Sequence, residues 1–578
     1  MSNSQSLNSE RTGSPGSRPS PFARLWYRSL DHFPSRGPRT LYLTIVVLAA
    51  IVLYYELYVG GAVAPSILRT YHMTFSYYVY ITVVANAVGA FSSIIAGLAD
   101  RWGRANLVTY GLLITALLVL FGIPNAPNEL SFAALVVAVG FVEGIILVAT
   151  PALVRDFSPQ LGRASAMGFW TLGPVMGSLC VSVISSHTLA HLHAWQDQFV
   201  ICGIAGLVIF VIALVGLREL SPSLRDQLMV SYRDRTLIEA KAKGLDIEES
   251  LRNPWRQMLH LDVIGSAFAI SVFLLVYYAA VGFFVIYFTT IYGYTEQQAN
   301  AIGNWFWAFD AGALVVVGFL SDRLRVRKPF MVVGAVGSIV MTVVFLTRAT
   351  HPHTSYYSFA IIISLLAVCL GIAYAPWMAS FTETVEKRNP ALTATGLAVW
   401  GWVIRIVVAL STLMLPLVVS SMTPLVNYGS QVQVLSVKYA PELATVSAID
   451  PATLQALTLN PANVAAGTRA ISEIASTFHV ATATAYQRLI ALSGASQQAD
   501  FKFLETHGGQ VQAAASATPR QWQHWWWVCV FGELVFLLLV FFMIGRWSPR
   551  RAKRDADEHE RMIEEEMKKL HISPVGST

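Results

Sequence analysis

The sequence predicts an all-α polytopic membrane protein whose twelve transmembrane helices form two six-helix repeats. Three observations carry that expectation: a shortage of charge, apolar runs of spanning length, and residue patterns that recur in the second half. Of 578 residues, 54% are hydrophobic and only 13% charged, with a mean hydropathy of +0.53. A soluble domain carries about 25% charged residues. So little charge cannot cover a water-soluble core, which excludes a cytosolic enzyme, a disordered chain and a disulfide scaffold. Cys180, Cys202, Cys369 and Cys529 all fall inside apolar runs. They read as small buried side chains.

The elements follow in order. Residues 1–40 are rich in Ser, Pro and Arg and lack an apolar period, which predicts a disordered cytoplasmic tail. The apolar run after them is too long for a signal-peptide core. Runs of spanning length lie at about 41–68, 77–98, 106–122, 131–153, 164–184 and 198–217, so that 41–217 forms the first six-helix bundle. A charged cytoplasmic linker, 218–261, leads to runs at about 262–289, 299–320, 329–346, 356–379 and 392–420. These are helices seven to eleven, spanning 262–420. Residues 421–521, rich in Ala, Ser, Thr and Gln, are expected to form an extracytoplasmic insertion with at most a small helical cap. The last span is placed at 522–546, before a charged cytoplasmic tail at 547–578.

Arg and Lys assign the sides. They cluster in the leader, beside Arg101 and Arg104, beside Arg155 and Arg163, through 218–243, from Arg323 to Lys328, at Lys387 and Arg388, and after Arg546. Every second loop is therefore basic, and the loops between are nearly free of Lys and Arg. The positive-inside bias then puts both termini in the cytoplasm of a cell-membrane protein. The net charge of +6 has lipid headgroups as its counter-charge, not nucleic acid.

The halves share punctuation. Tyr54-Tyr55 recurs as Tyr277-Tyr278, 98–101 (Leu-Ala-Asp-Arg) as 320–323 (Leu-Ser-Asp-Arg), and 163–168 as 391–396 at nearly constant offsets. Three matches in register indicate duplication, as in transporters built from repeats. Residues 96–104, Ala-Gly-Leu-Ala-Asp-Arg-Trp-Gly-Arg, resemble the loop 2–3 signature of the major facilitator superfamily, and 318–324 resemble its second copy. The departures are Ala96 at the first glycine and Arg325 where the second copy often has glycine.

Asp100 lies where a helix N-terminus favours an anion, with Arg101, Gly103 and Arg104 beside it. The resemblance implies that this cluster and its copy, Asp322 and Arg323, latch the two halves together on the cytoplasmic side. Gly173-Pro174-x-x-Gly177, followed by Ser178, resembles part of the family's antiporter motif, which implies export. Close helix packing alone also explains those glycines.

Ionisable residues at mid-span are costly and functional by default. Glu56, Glu143, Asp310 and Arg405 sit there, and none has a charged equivalent in the other half: they align with Ala279, Gly371, Val88 and Gly177. Burial makes reversible protonation available to a carboxylic acid. Glu56, Asp310 and Glu143 are thus the proton-coupling candidates. Arg405 must pair, with Asp310 or with an anionic substrate. Tyr55, Tyr278, Trp170, Trp305 and Trp402 are the aromatic candidates for the substrate cavity. No Walker loop and no His-Glu-x-x-His motif occurs; no catalytic residue, cofactor or metal is expected.

The sequence therefore reads as a secondary active transporter that moves a small organic molecule by alternating access, with proton-coupled export as the leading mode. The alternative is proton symport of an organic anion. A different class is a non-transporting sensor or assembly factor that docks a partner on 421–521.

Overall fold

The computed structural model describes residues 28–95, 103–157, 171–221, 254–324, 326–351, 353–388, 393–545 and 547–550, together with Trp26, Leu224, Arg554 and Arg561. The protein is an all-α polytopic membrane protein. Among the described residues, eleven helical segments are long and apolar enough to cross a membrane. The fifth expected run, 164–184, lies partly outside the described residues.

In the first half the helices are α1 (Arg36–Ala62), the short α2 (Ala64–Tyr71), α3 (Phe75–Ile95), α4 (Arg104–Leu117), α5 (Glu129–Phe157), α6 (Gly173–Thr188) and α7 (Trp195–Gly216). At 1.5 Å per residue the 27-residue α1 reaches about 40 Å, enough for a hydrocarbon core of about 30 Å. The first expected span was drawn through to residue 68, but the chain breaks at Val63, with Pro65 in the first turn of α2. A proline has no N–H to give a continuing helix. In the second half come α8 (Leu261–Phe273), α9 (Leu275–Ile291), α10 (Glu296–Leu324), α11 (Lys328–Arg348), α12 (Tyr356–Arg388) and α13 (Thr393–Val418). The seventh expected span is thus two helices, interrupted at Leu274.

Of the leader expected to be a disordered tail, residues 1–25 and 27 lie outside the described residues, and the segment from residue 28 onward is anchored. Ser29–Leu30 (β1) pairs in parallel with Glu219–Leu220 (β2) just after α7. Arg28 is buried, and its guanidinium donates to Asn106 Oδ1 (2.8 Å), Thr109 Oγ1 (3.2 Å) and the Ala213 carbonyl (3.2 Å). The last acceptor belongs to the C-terminal turn of α7, where the helix dipole favours a cation. Trp26 stacks on Tyr110 with ring centroids 5.5 Å apart. Low apolar content hid this anchor, because one arginine and a two-residue ribbon carry it.

The insertion is larger in structure than the small cap expected. It contains α14 (Met422–Lys438), α15 (Ala440–Ser447), α16 (Pro451–Leu459), α17 (Val464–Phe478) and α18 (Thr482–Ser496). Asp450 and Asn463 cap α16 and α17 by accepting from the N–H groups of Ala452 and Ala466. Leu435, Tyr439, Ile474, Leu492, Phe501 and Leu504 form a core of its own. The final helix, α19, runs from Ala499 to Val540 without a break, so the helix that carries the last expected span begins inside the insertion.

The halves meet along a seam. There α6 packs on α10, α13 on α3, and α1 on α9. At the end that carries the insertion they are tied together: Ser66 donates to Glu296 (2.6 Å), Asn300 to the Ala62 carbonyl (2.9 Å), and Asn304 to Ser186 Oγ (2.9 Å).

Candidate functional site

Halfway along the seam the helices present tyrosines to one another. Tyr54 and Tyr58, one turn apart on α1, have ring centroids separated by 5.5 Å. Opposite them on α9, Tyr277 and Tyr278 are 5.3 Å apart, and Tyr277 meets Trp307 of α10 at 5.2 Å. Tyr374 of α12 stacks on Trp377 at 5.9 Å. A cavity of about 30 Å³, lined by Tyr58, Ser182, Phe284, Asn300 and Trp307 among others, lies between the rings and the closed end.

Charges stand around this aromatic centre. Glu143 of α5, 1% exposed, is within electrostatic reach of both Tyr54 and Tyr58. Asp310 of α10, 3% exposed, acts on Tyr277 and Tyr374. Arg405 of α13 is half-buried and acts on Tyr54 and Tyr278. One acid of each half and one cation therefore border one group of tyrosines: Glu143 and Arg405 share Tyr54, and Asp310 stands by Tyr277 and Tyr374. Among the ion pairs of the described residues, none joins Asp310 to Arg405.

Glu56 sits elsewhere. Its carboxylate faces α4 and α7, against Gly206 and beside Thr115, inside the first half rather than on the seam. The Thr115 hydroxyl donates to the Gly111 and Leu112 carbonyls (2.9 and 3.2 Å). Both carboxylate oxygens of Glu56, and both of Glu143, are buried without a hydrogen-bond partner among the described residues. A buried charged carboxylate without partners is far more costly than the same carboxyl carrying a proton. Glu56 acts electrostatically on Glu143, so the second acid stands behind the first.

The aromatic candidates divide. Tyr278 is on the seam, but Tyr55 points into the first half near Cys180 and Cys202. Trp305, 42% exposed, stacks on Phe309 on the outer face of α10. Trp402, 51% exposed, shares an exposed face of α13 with Ile406 and Leu410. Trp170 lies outside the described residues. Tyr54, Tyr58, Tyr277, Tyr374 and Trp307 were not singled out from the sequence as cavity residues. The i, i+4 spacing of Tyr54 and Tyr58 was the available signal.

The loop-motif residues divide as well. Asp100 and Arg101 lie outside the described residues. At the N-terminus of α4 the anion is Glu219, whose carboxylate accepts from the N–H of Arg104 at 2.7 Å. Arg104 pairs with Asp156 (2.8 Å), Arg327 with Asp322 (2.7 Å) and Glu383 (3.0 Å), and Arg388 with Asp262 (2.8 Å). Each of these pairs stays within one half. Arg323 is exposed. Gly173, Pro174 and Gly177 form the first turns of α6 against Ala50, Ile51 and Tyr54 of α1, as close helix packing requires.

A search of curated protein sequences gives no match. Among solved structures, a bacterial homolog to the human lysosomal transporter Spinster, in its inward-facing and unoccupied conformation, is similar over 89% of this chain and 100% of its own, with 16% identity and a TM-score of 0.60. A D-xylose–proton symporter is similar over 65% of this chain and 89% of its own, with 14% identity and a TM-score of 0.51. These likenesses concern the fold. The family model of the Major Facilitator Superfamily matches residues 46–427. The chain belongs to the major facilitator superfamily and is a transport protein, not an enzyme.

Proposed function

We propose that the protein is a proton-coupled secondary transporter in which twelve spans, arranged as two six-helix halves, export a small organic molecule by alternating access. The observation that carries this reading is the placing of Glu143 and Asp310, one buried acid from each half, behind the tyrosines of one seam. A proton on either acid changes the charge of the seam without moving the backbone, and substrate held among the phenols senses that change. Glu56 is the proton reserve behind Glu143. The basic loops place the end opposite the insertion, with both termini, in the cytoplasm. Inward-facing relatives fit a seam closed at the insertion end.

Export rests on Gly173, Pro174 and Gly177. A second reading, uptake of an organic anion with a proton, is favoured by half-buried Arg405 beside Tyr54 and Tyr278, since a guanidinium recognises carboxylates in a planar, bidentate way.

Membrane vesicles separate the readings. Accumulation of lipophilic organic cations in energised inverted vesicles, abolished by a protonophore, is the result expected for export. Accumulation of organic carboxylates in right-side-out vesicles with acid outside would establish uptake instead. Folded protein that moves neither class under any gradient would leave the sensor reading standing.

A further inference from the structure

The spanning helices are not alone in closing the seam at the insertion end. Met422 and Val426, in the first turns of α14, are buried in one apolar cluster with Met73 and Phe75 of the first half and Phe283 and Tyr287 of the second. The N–H of Phe75 donates to Thr423 Oγ1 at 3.0 Å, and Asn427 Nδ2 donates to the Met73 carbonyl at 3.3 Å. The insertion, which leaves the second half after α13, thus reaches across to the start of α3.

The two attachments are unequal. Ser421 and Gln521 close the base of the insertion on itself with hydrogen bonds of 3.1 and 3.0 Å. On the side of the second half, Thr290 of α9 donates to Met422 Sδ at 3.7 Å, and α19 continues from the insertion core into the last apolar run. There Phe536 lies 4.5 Å from Phe273 of α8, and Trp526 lies 6.0 Å from Phe284 of α9, ring centroid to ring centroid. On the side of the first half, the polar contacts among the described residues are the two hydrogen bonds to Met73 and Phe75. A continuous helix does not part from its own bundle, whereas a small patch with two hydrogen bonds can open and close.

We infer that the insertion is a strap. It travels with the second half, and its helix α14 locks the seam by seating Met422, Thr423, Val426 and Asn427 on Met73 and Phe75. This end opens only when that contact parts. The inference rests on the alternating-access reading and goes beyond it by giving 421–521 a gating role.

Full-length protein in lipid nanodiscs tests it by distances between paired spin labels at acidic and alkaline pH. One pair, Thr74→Cys with Ser430→Cys, spans the strap contact. Another, Ser430→Cys with Ser516→Cys, stays within the insertion, and a third, Ser35→Cys with Arg323→Cys, spans the opposite end. The strap predicts a second, longer distance for the first pair where the third shortens, with the within-insertion distance unchanged. An unchanged first pair alongside a changing third overturns the strap and leaves alternating access standing. A changing within-insertion distance also overturns it, because the insertion would then deform instead of swinging as one body. No change in any pair overturns both readings. A Thr74→Cys/Thr423→Cys disulfide should hold the Ser35–Arg323 pair at its longer distance until reduced. Free shortening in the oxidised protein counts against the strap.

Discussion

Gly177 of α6 lies so close to Tyr54 of α1 that a side-chain carbon at 177 would stand 2.5 Å from the Tyr54 Cβ and 3.0 Å from the Ile51 carbonyl oxygen. Backbone and Cβ atoms cannot give way cheaply, so the two helices can approach this closely only over glycine. The approach sets the position of the Tyr54 ring, which stands between Glu143 and Arg405 in electrostatic terms. Gly177→Val should force α1 and α6 apart, destabilise the protein by about 1–3 kcal/mol and depress transport more than expression. Thermal unfolding in detergent and vesicle transport check this. A variant with wild-type melting and transport would show that the contact relaxes without consequence.

The carboxyl groups should differ in their effect on coupling. Glu143→Gln keeps the shape beside Tyr54 and Tyr58 but cannot titrate, so it should abolish pH-driven transport and spare downhill exchange. Glu533→Gln should leave both intact. That acid is buried between α19 and α11, where Glu533 Oε1 accepts from Thr342 at 2.9 Å; a glutamine oxygen can accept the same bond. The assignment fails if Glu533→Gln uncouples the protein and Glu143→Gln does not.

Asp310 and Arg405 should behave independently. Because no ion pair joins them among the described residues, the cycle Asp310→Asn, Arg405→Gln and the double variant should show a coupling energy below about 0.5 kcal/mol. Several kcal/mol of coupling in thermal or denaturant unfolding would establish a direct pair.

Arg28 should matter for stability although it precedes the first span. Burial lowers its pKa from the ordinary value, but a guanidinium stays charged. Its removal takes away the donor that serves Asn106 Oδ1, Thr109 Oγ1 and the Ala213 carbonyl. Arg28→Ala should cost about 3 kcal/mol, and Arg28→Lys, which lacks the planar fork, should recover only part of it. Unfolding of both variants in the same detergent is the measurement. Equal stability of Arg28→Ala and the parent protein would remove the anchoring role.

Gly103 holds a left-handed backbone, with φ at 86°, and a side chain there would collide with the Glu219 carboxylate. Gly103→Ala should therefore cost about 1–2 kcal/mol in backbone strain and further stability by displacing Glu219 from the N–H of Arg104. Adding Glu219→Gln, which removes the same capping charge, should lower stability less than additively. Full additivity of the two changes would show that they act separately.

Composition and the length of the apolar runs determined that this is a polytopic helical membrane protein, because a continuous apolar run of about 20 residues satisfies its own backbone in lipid as a helix, whereas barrel strands are shorter and alternate. The repeated Asp-Arg motif pointed to the family, and the mid-span acids were found because charge in an apolar run is conspicuous. Tertiary structure alone decided what each of them faces. Tyr54 and Tyr55 are neighbours in the chain, yet one borders the seam and the other is buried near Cys180 and Cys202. Glu56 and Glu143 both lie in apolar runs, and only Glu143 stands behind the tyrosines of the seam. The insertion looked peripheral because its apolar residues are sparse; folding collects Met422 and Val426 with Met73 and Phe75, residues distant in sequence, across the gap between the halves. Successive residues on a helix point about 100° apart, so a run uniformly apolar on every side carries no signal for which face meets a neighbouring helix and which meets lipid. The partner helices supply that choice.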